Sequence, residues 1–169
     1  MTIRLSRAAL PSFSSQISAP NYSPQQLKPG IVHIGVGNFH RAHQAVYLDQ
    51  LFRLGKSLDW ALVGTGVMPG DHVMGQTLVQ QDYLTTVVEQ SAAGYKATIT
   101  GSMIDFLLPG DPSNIERLAD PSIRIVSLTV TEGGYFINPA TGEFDPDQPL
   151  SLIHISEPTS PERSAGGGG

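Results

Sequence analysis

The chain of 169 residues has no cysteine, which excludes a disulfide framework and any thiolate metal site. Charge is scarce too, with 15% charged residues and a net charge of −5. No basic stretch stands ready to neutralise phosphates, so no nucleic-acid partner is expected. No apolar run approaches the ~20 residues of a membrane span. The opening MTIRLSRAALPSFSSQ carries two arginines but no apolar core of signal-peptide length. A cytoplasmic protein without a membrane partner is the expectation, and the sequon Asn21-Tyr22-Ser23 is then a chance match. No G-x-S-x-G elbow or paired-carboxylate spacing supports a hydrolase. What remains is 40% hydrophobic residues over a length that suffices for one domain with a real core.

The chain divides by composition. Residues 1–29 are rich in Ser, Pro and Gln and end in the turn signal Lys28-Pro29-Gly30, a lead-in expected to lie on the surface with a short helical turn over Pro24–Leu27. The body is 30–149. Residues 150–169, LSLIHISEPTSPERSAGGGG, change character abruptly and show no periodicity. The stretch Leu150–Thr159 looks like a translated sequencing adapter, and the closing glycines look like read-through. This segment is expected to be non-native, with the natural frame interrupted near Pro149.

Within the body, Ile31–Val36 is a short apolar run suited to a strand covered on both faces. Ala42, Ala45, Val46, Leu48, Leu51, Phe52 and Leu54 then fall mostly at i, i+3, i+4 spacings before Gly55, which predicts one helix over Arg41–Leu54. Trp60–Gly66 is a second buried strand. Strand, helix and strand in this order make a right-handed parallel βαβ unit. A brief helix is expected over Asp71–Val79, and a hairpin from Tyr83–Gln90 and Tyr95–Ser102, grafted onto the sheet. A helix over Asp111–Leu118 and a further buried strand over Ile123–Thr129 follow, then turns at Gly133-Gly134 and Asn138–Gly142. The fold class is α/β, with parallel strands and an inserted antiparallel hairpin.

The chemistry concentrates in GIVHIGVGNFHRAH, residues 30–43. In a dinucleotide-binding turn the first glycine permits the sharp exit from the strand. The second lets a pyrophosphate approach backbone N–H groups at a helix N-terminus. Gly35 and Gly37 stand in that context, but His40 occupies the place of the third glycine. Paired glycines also serve packing alone, so both readings stand. Asp71 is the first acid after the second strand, though further beyond Gly35 than the usual ~20 residues; it is either a ribose contact or a turn residue. His40 and His43 form H-x-x-H without a third donor nearby, so no metal is expected. Polar contacts near a phosphate, with Arg41 as counter-charge, are the other reading.

Four blocks, GIVHIGVGNFHRAHQAVYLDQL, LDWALVGTGV, QDYL and IRIVSLTVTEGGY, together resemble the long-chain mannitol dehydrogenase family over about residues 30–149. The resemblance implies an incomplete Rossmann-type dinucleotide-binding domain. It implies an oxidoreductase that moves a hydride between NAD and C2 of a sugar alcohol, with polyol and ketose as substrates and no metal. It places Gly35, Gly37, Asn38, Phe39, His40 and Arg41 at the pyrophosphate, and a histidine at the third-glycine position belongs to the family pattern. It sets Asp71 against the adenosine ribose, where a carboxylate accepts from a 2′-hydroxyl and repels a 2′-phosphate. It gives Glu132 an auxiliary catalytic part in proton movement; without the family, Glu132 reads as a surface carboxylate. The family's lysine base sits in a Lys-x4-Asn-x2-His motif, and none of Lys28, Lys56 or Lys96 is followed by that pattern. This chain alone is therefore expected to be inactive. A fructuronate-type reductase of the same family and a non-catalytic NAD-binding module are the alternatives. The oligomeric state is not legible.

Overall fold

The computed structural model describes residues 3–13, 17–68, 70–130, 138 and 140–145. Contacts divide the chain into two units, Met1–Thr129 and Val130–Gly169. The first unit is built on four parallel strands: β1 (Pro29–Ile34), β2 (Ala61–Thr65), β5 (Met103–Leu107) and β6 (Ile125–Leu128). Their order across the sheet is β5-β2-β1-β6. Numbered among parallel strands only, that is 3-2-1-4, the first half of a doubly wound sheet plus the strand that begins the second half. The connections leave β1 toward β2 on one side and return to β6 on the other. In sheets of this kind ligands are taken at that reversal, beyond the carboxyl ends of the strands.

Helices α1 (Asn38–Ala42), α2 (Gln44–Arg53), α3 (Asp71–Gln80) and α4 (Ser113–Leu118) make the crossovers. The main core joins Ile31, Val36 and Leu62 to Ala45 of α2, Leu78 of α3, and Met103 and Phe106 of β5. A second cluster packs Phe52 and Ala61 under Leu27 of the lead-in. The lead-in itself has 3-10 turns at Arg7–Ser12 and Pro24–Gln26. Ser18 bridges to Thr98, with Ile99 N–H donating to the Ser18 carbonyl at 2.7 Å.

The structure departs from expectation at four points. The single helix is two, broken at His43, whose φ of −121° and ψ of −83° leave the helical region. The break lets α1 rest on β1 through His40 while α2 turns Ala45 and Phe52 inward. The hairpin of β3 (Thr85–Ser91) and β4 (Gly94–Thr100) is not grafted onto the sheet; it forms its own two-stranded sheet. Met103–Leu107, unassigned by pattern, is the edge strand β5. Finally, β6, an edge strand of the sheet, is not buried: Ile125, Val126 and Leu128 are exposed, on both faces of the strand. Turn geometry at Asn138 is as expected, with Gly142 N–H donating to the Asn138 carbonyl at 2.8 Å.

One buried charge ties these parts together. Asp49 of α2 is 1% exposed. It accepts from the Tyr22 hydroxyl of the lead-in, from Gly101 N–H at 2.9 Å and from Arg53 Nε at 2.6 Å. Arg53 in turn donates to the carbonyls of Ala19 (2.5 Å) and Ile99 (2.9 Å). Burial, followed by the Asp49 hydrogen bond, pushes the Tyr22 phenol well above its ordinary range, so it stays a donor. Asp49→Ala strands the Arg53 cation and the Gly101 N–H together. It should cost about 3 kcal/mol or more, read as a fall in the urea midpoint with an unchanged slope.

Candidate functional site

The glycine turn leaves β1 at its carboxyl end. Gly35 has φ of +88°, a left-handed conformation that only glycine adopts cheaply. Its N–H donates to the Thr65 carbonyl at 2.9 Å, tying the turn to the end of β2. Gly37 differs. It caps α1 in extended geometry, φ −86° and ψ −174°, open to any residue. A Cβ built on it would meet nothing nearer than the Gly35 carbonyl oxygen at 4.0 Å. Neither the backbone nor the packing of this chain requires glycine at 37.

The first turn of α1 has no side-chain cap, so its leading N–H groups point outward as donors. Arg41 folds back over them, with Nη2 donating to Asn38 Oδ1 at 2.6 Å and Nε to the Gly37 carbonyl at 3.3 Å. Its cation thus lies at the helix N-terminus. Phe39 is 65% exposed and stacks on His43 with centroids 4.4 Å apart. His43 Nδ1 contacts the Phe39 carbonyl oxygen at 2.8 Å.

His40 faces the other way. It is 2% exposed and lies flat on His33 of β1, centroids 3.8 Å apart and planes at 10°. The H-x-x-H pair is therefore split between interior and surface, and among the described residues no three His, Cys, Asp or Glu side chains gather as a metal site. Burial, then the neighbouring His33 and Arg41, pushes His40 down to about 3, while the Gln44 side chain pulls upward. Neither ring nitrogen has a well-formed partner. His33 is lowered in the same direction by burial, partly opposed by the backbone at Gly35. Its Nδ1 meets Ser127 Oγ at 2.9 Å and its Nε2 meets Thr129 Oγ1 at 3.0 Å.

At the end of β2, Asp71 opens α3. Its Oδ2 accepts from Met68 N–H at 2.9 Å. A side chain at Gly66 would overlap this carboxylate, so that glycine exists to let Asp71 fold against the strand end. Gly35–Arg41 and Asp71 thus stand beyond the carboxyl ends of the neighbouring strands β1 and β2. Glu132 lies outside the described residues. His33, Ser127 and Thr129 were not legible as site residues; the only signal was their even spacing on strands, which puts 127 and 129 on one face.

Residues 29–166 match the family model of the mannitol dehydrogenase Rossmann domain. The chain belongs to the mannitol dehydrogenase family. It is 52% identical to a mannitol 2-dehydrogenase of Cereibacter sphaeroides, covering 89% of this chain and 32% of that protein. It is 41% identical to a polyol:NADP oxidoreductase of Gluconobacter oxydans, covering 93% and 33%. Among solved structures it resembles Pseudomonas fluorescens mannitol 2-dehydrogenase in ternary complex with NAD and D-mannitol. There the TM-score is 0.77 and identity 41%, over 90% of this chain and 31% of the other. The chain thus spans about a third of the length of these relatives. The matched range also runs past Pro149 into the segment whose composition reads as foreign.

The His40 shift has a sign that can be checked. Between about 3 and 6.5 the unfolded chain binds a proton that native His40 refuses, so this contribution to stability is complete above 6.5 and is lost as pH falls toward 3. The stability difference between the wild type and His40→Phe should therefore widen in favour of the wild type as pH rises through that window. Urea midpoints at several pH values measure it.

Proposed function

We propose that this chain is the cofactor-binding part of an NAD-dependent polyol 2-dehydrogenase. Gly35, Gly37, Asn38, Phe39 and Arg41 hold the pyrophosphate, His40 supports them from beneath, and Asp71 holds the adenosine ribose. The observation that carries this reading is Gly37, a glycine in ordinary backbone geometry with open space where its Cβ would be. That space adjoins uncapped N–H donors and the Arg41 cation, which together favour an anion pressed against the backbone. The likeness to a relative solved with NAD and D-mannitol supports the same choice.

When bound, NAD takes up or gives the hydride exchanged with C2 of the polyol or ketose. The residues of this chain bind and orient it; the proton of the reacting hydroxyl needs a base, and none of Lys28, Lys56 and Lys96 stands in the family's motif. We assign Glu132, which follows β6 in the sequence, the auxiliary role in proton movement. Activity on a polyol is accordingly a property of the longer protein and is not expected of these residues alone. A relative named for NADP raises a second reading, in which NADP is the cofactor. Asp71 argues against it, because a carboxylate there repels a 2′-phosphate.

Titration calorimetry with NAD tests the turn. Gly37→Ala should shift stability by under about 0.5 kcal/mol yet weaken NAD at least about tenfold. Gly35→Ala should instead cost about 1–2 kcal/mol of stability, from its left-handed backbone. Equal NAD affinity in Gly37→Ala would remove the pyrophosphate assignment.

Asp71→Ser tests the ribose contact separately. The ratio of NAD to NADP affinity should fall by about tenfold or more, as the ribose loses its acceptor and the 2′-phosphate its repulsion. An unchanged ratio would assign Asp71 to the turn alone.

A further inference from the structure

The third glycine of a dinucleotide turn lets the helix pack close on its strand; here that contact is made by two imidazoles. The lower one, His33, is fastened at both nitrogens to hydroxyls of one neighbouring strand, Ser127 and Thr129 of the β6 segment. Its plane is thereby fixed across the β1–β6 seam, the seam at which the strand order reverses. The upper ring, His40, has no well-formed hydrogen bond at either nitrogen, so its height and tilt are set by the stack. Two buried ring nitrogens without a well-formed hydrogen bond are a cost that an apolar ring of like shape would avoid. The fold tolerates it at the one residue that carries the helix start above Gly37.

We propose that His33 and His40 act as one positioning unit. The stacked pair replaces the third glycine and sets how far the glycine turn and the start of α1 stand above β1. Dinucleotide affinity then depends on a flat ring at position 40 and not on a hydrogen bond from His40 to the ligand. This rests on the cofactor reading above. It goes further by naming a residue on β1, with two hydroxyls on the β6 segment, that tunes the turn without touching the ligand.

The test compares His40→Phe with His40→Leu in the complete 169-residue chain. Both fill the space with apolar atoms, and only phenylalanine keeps a flat face for His33. NAD and adenosine are the two probes, measured by calorimetry, with the thermal midpoint of each variant alongside. His40→Phe should bind NAD within about threefold of the wild type, and His40→Leu about tenfold more weakly. Adenosine, which lacks the pyrophosphate, should bind all three chains alike; a general loosening of the fold would weaken both probes together. Equal NAD affinity in the two variants overturns the stack. A loss in His40→Phe as large as in His40→Leu also overturns it, and makes a nitrogen of His40 the ligand contact. A wild type that binds neither probe removes the cofactor reading, and this inference with it. A wild type that binds NAD while the variants do not differ removes this inference alone.

Discussion

The site depends on the seam between β1 and β6. These strands are neighbours in space but lie at opposite ends of the described chain order, with every other element of the sheet inserted between them. The order in which strands are added to the sheet reverses at this seam, and such switch points are where open α/β sheets take their ligands. His33 closes the seam from beneath through Ser127 and Thr129, and backbone pairing continues to the end, where Thr129 N–H donates to the Ile34 carbonyl at 3.2 Å. The turn that follows Ile34 therefore starts from a point fixed on both sides: Gly35 is tied to β2 and His33 to β6. The anion site proposed above would draw on that rigidity, since small displacements of N–H donors cost binding.

A second constraint acts on the far side of α2. Inserting a hairpin between α3 and β5 gives the domain a two-stranded sheet that could not hold itself together in water. Asp49 and Arg53 solve this by reaching, from one helix, the lead-in, Ile99 of β4 and Gly101 in the link to β5. A buried ion pair is a poor source of net stability, but each of its bonds has a fixed direction. What it contributes is register: the hairpin can sit in one place only, and the lead-in with it.

Much of the fold was legible because its signals are local. Ile31–Val36 and Trp60–Gly66 are apolar runs bounded by turn residues, and Gly35 and Gly37 announce the turn by type and spacing. The failures arise where a tertiary contact decides. The break at His43 has no proline or glycine to mark it; it follows from α1 and α2 leaning on different partners. Met103–Leu107 is only five residues long and carries an aspartate, so its strand character comes from pairing with β2. Ile123–Thr129 reads as buried because its composition suits a strand flanked on both sides, and here one flank is open. Asp49 held a legible clue: it falls four residues after Ala45 and three before Phe52, on the apolar stripe, where an unpaired carboxylate would be untenable.

His40 shows where residue type and residue role part. A histidine among glycines, an arginine and an asparagine invites a reading as a phosphate contact or a metal ligand, and both assume an outward-facing ring. Helix geometry decides otherwise. With Gly37 as cap, Asn38, Phe39 and His40 occupy the first turn about 100° apart, so they cannot all face outward. Phe39 and Arg41 are on the outside, and position 40 must point at β1. A residue placed there has to fit the side chain of strand residue 33, which in this chain is itself a ring. Positions 33 and 40 are in this sense one choice made twice. Replacing either ring by a side chain of another shape without changing the other leaves a void or a clash beneath the turn.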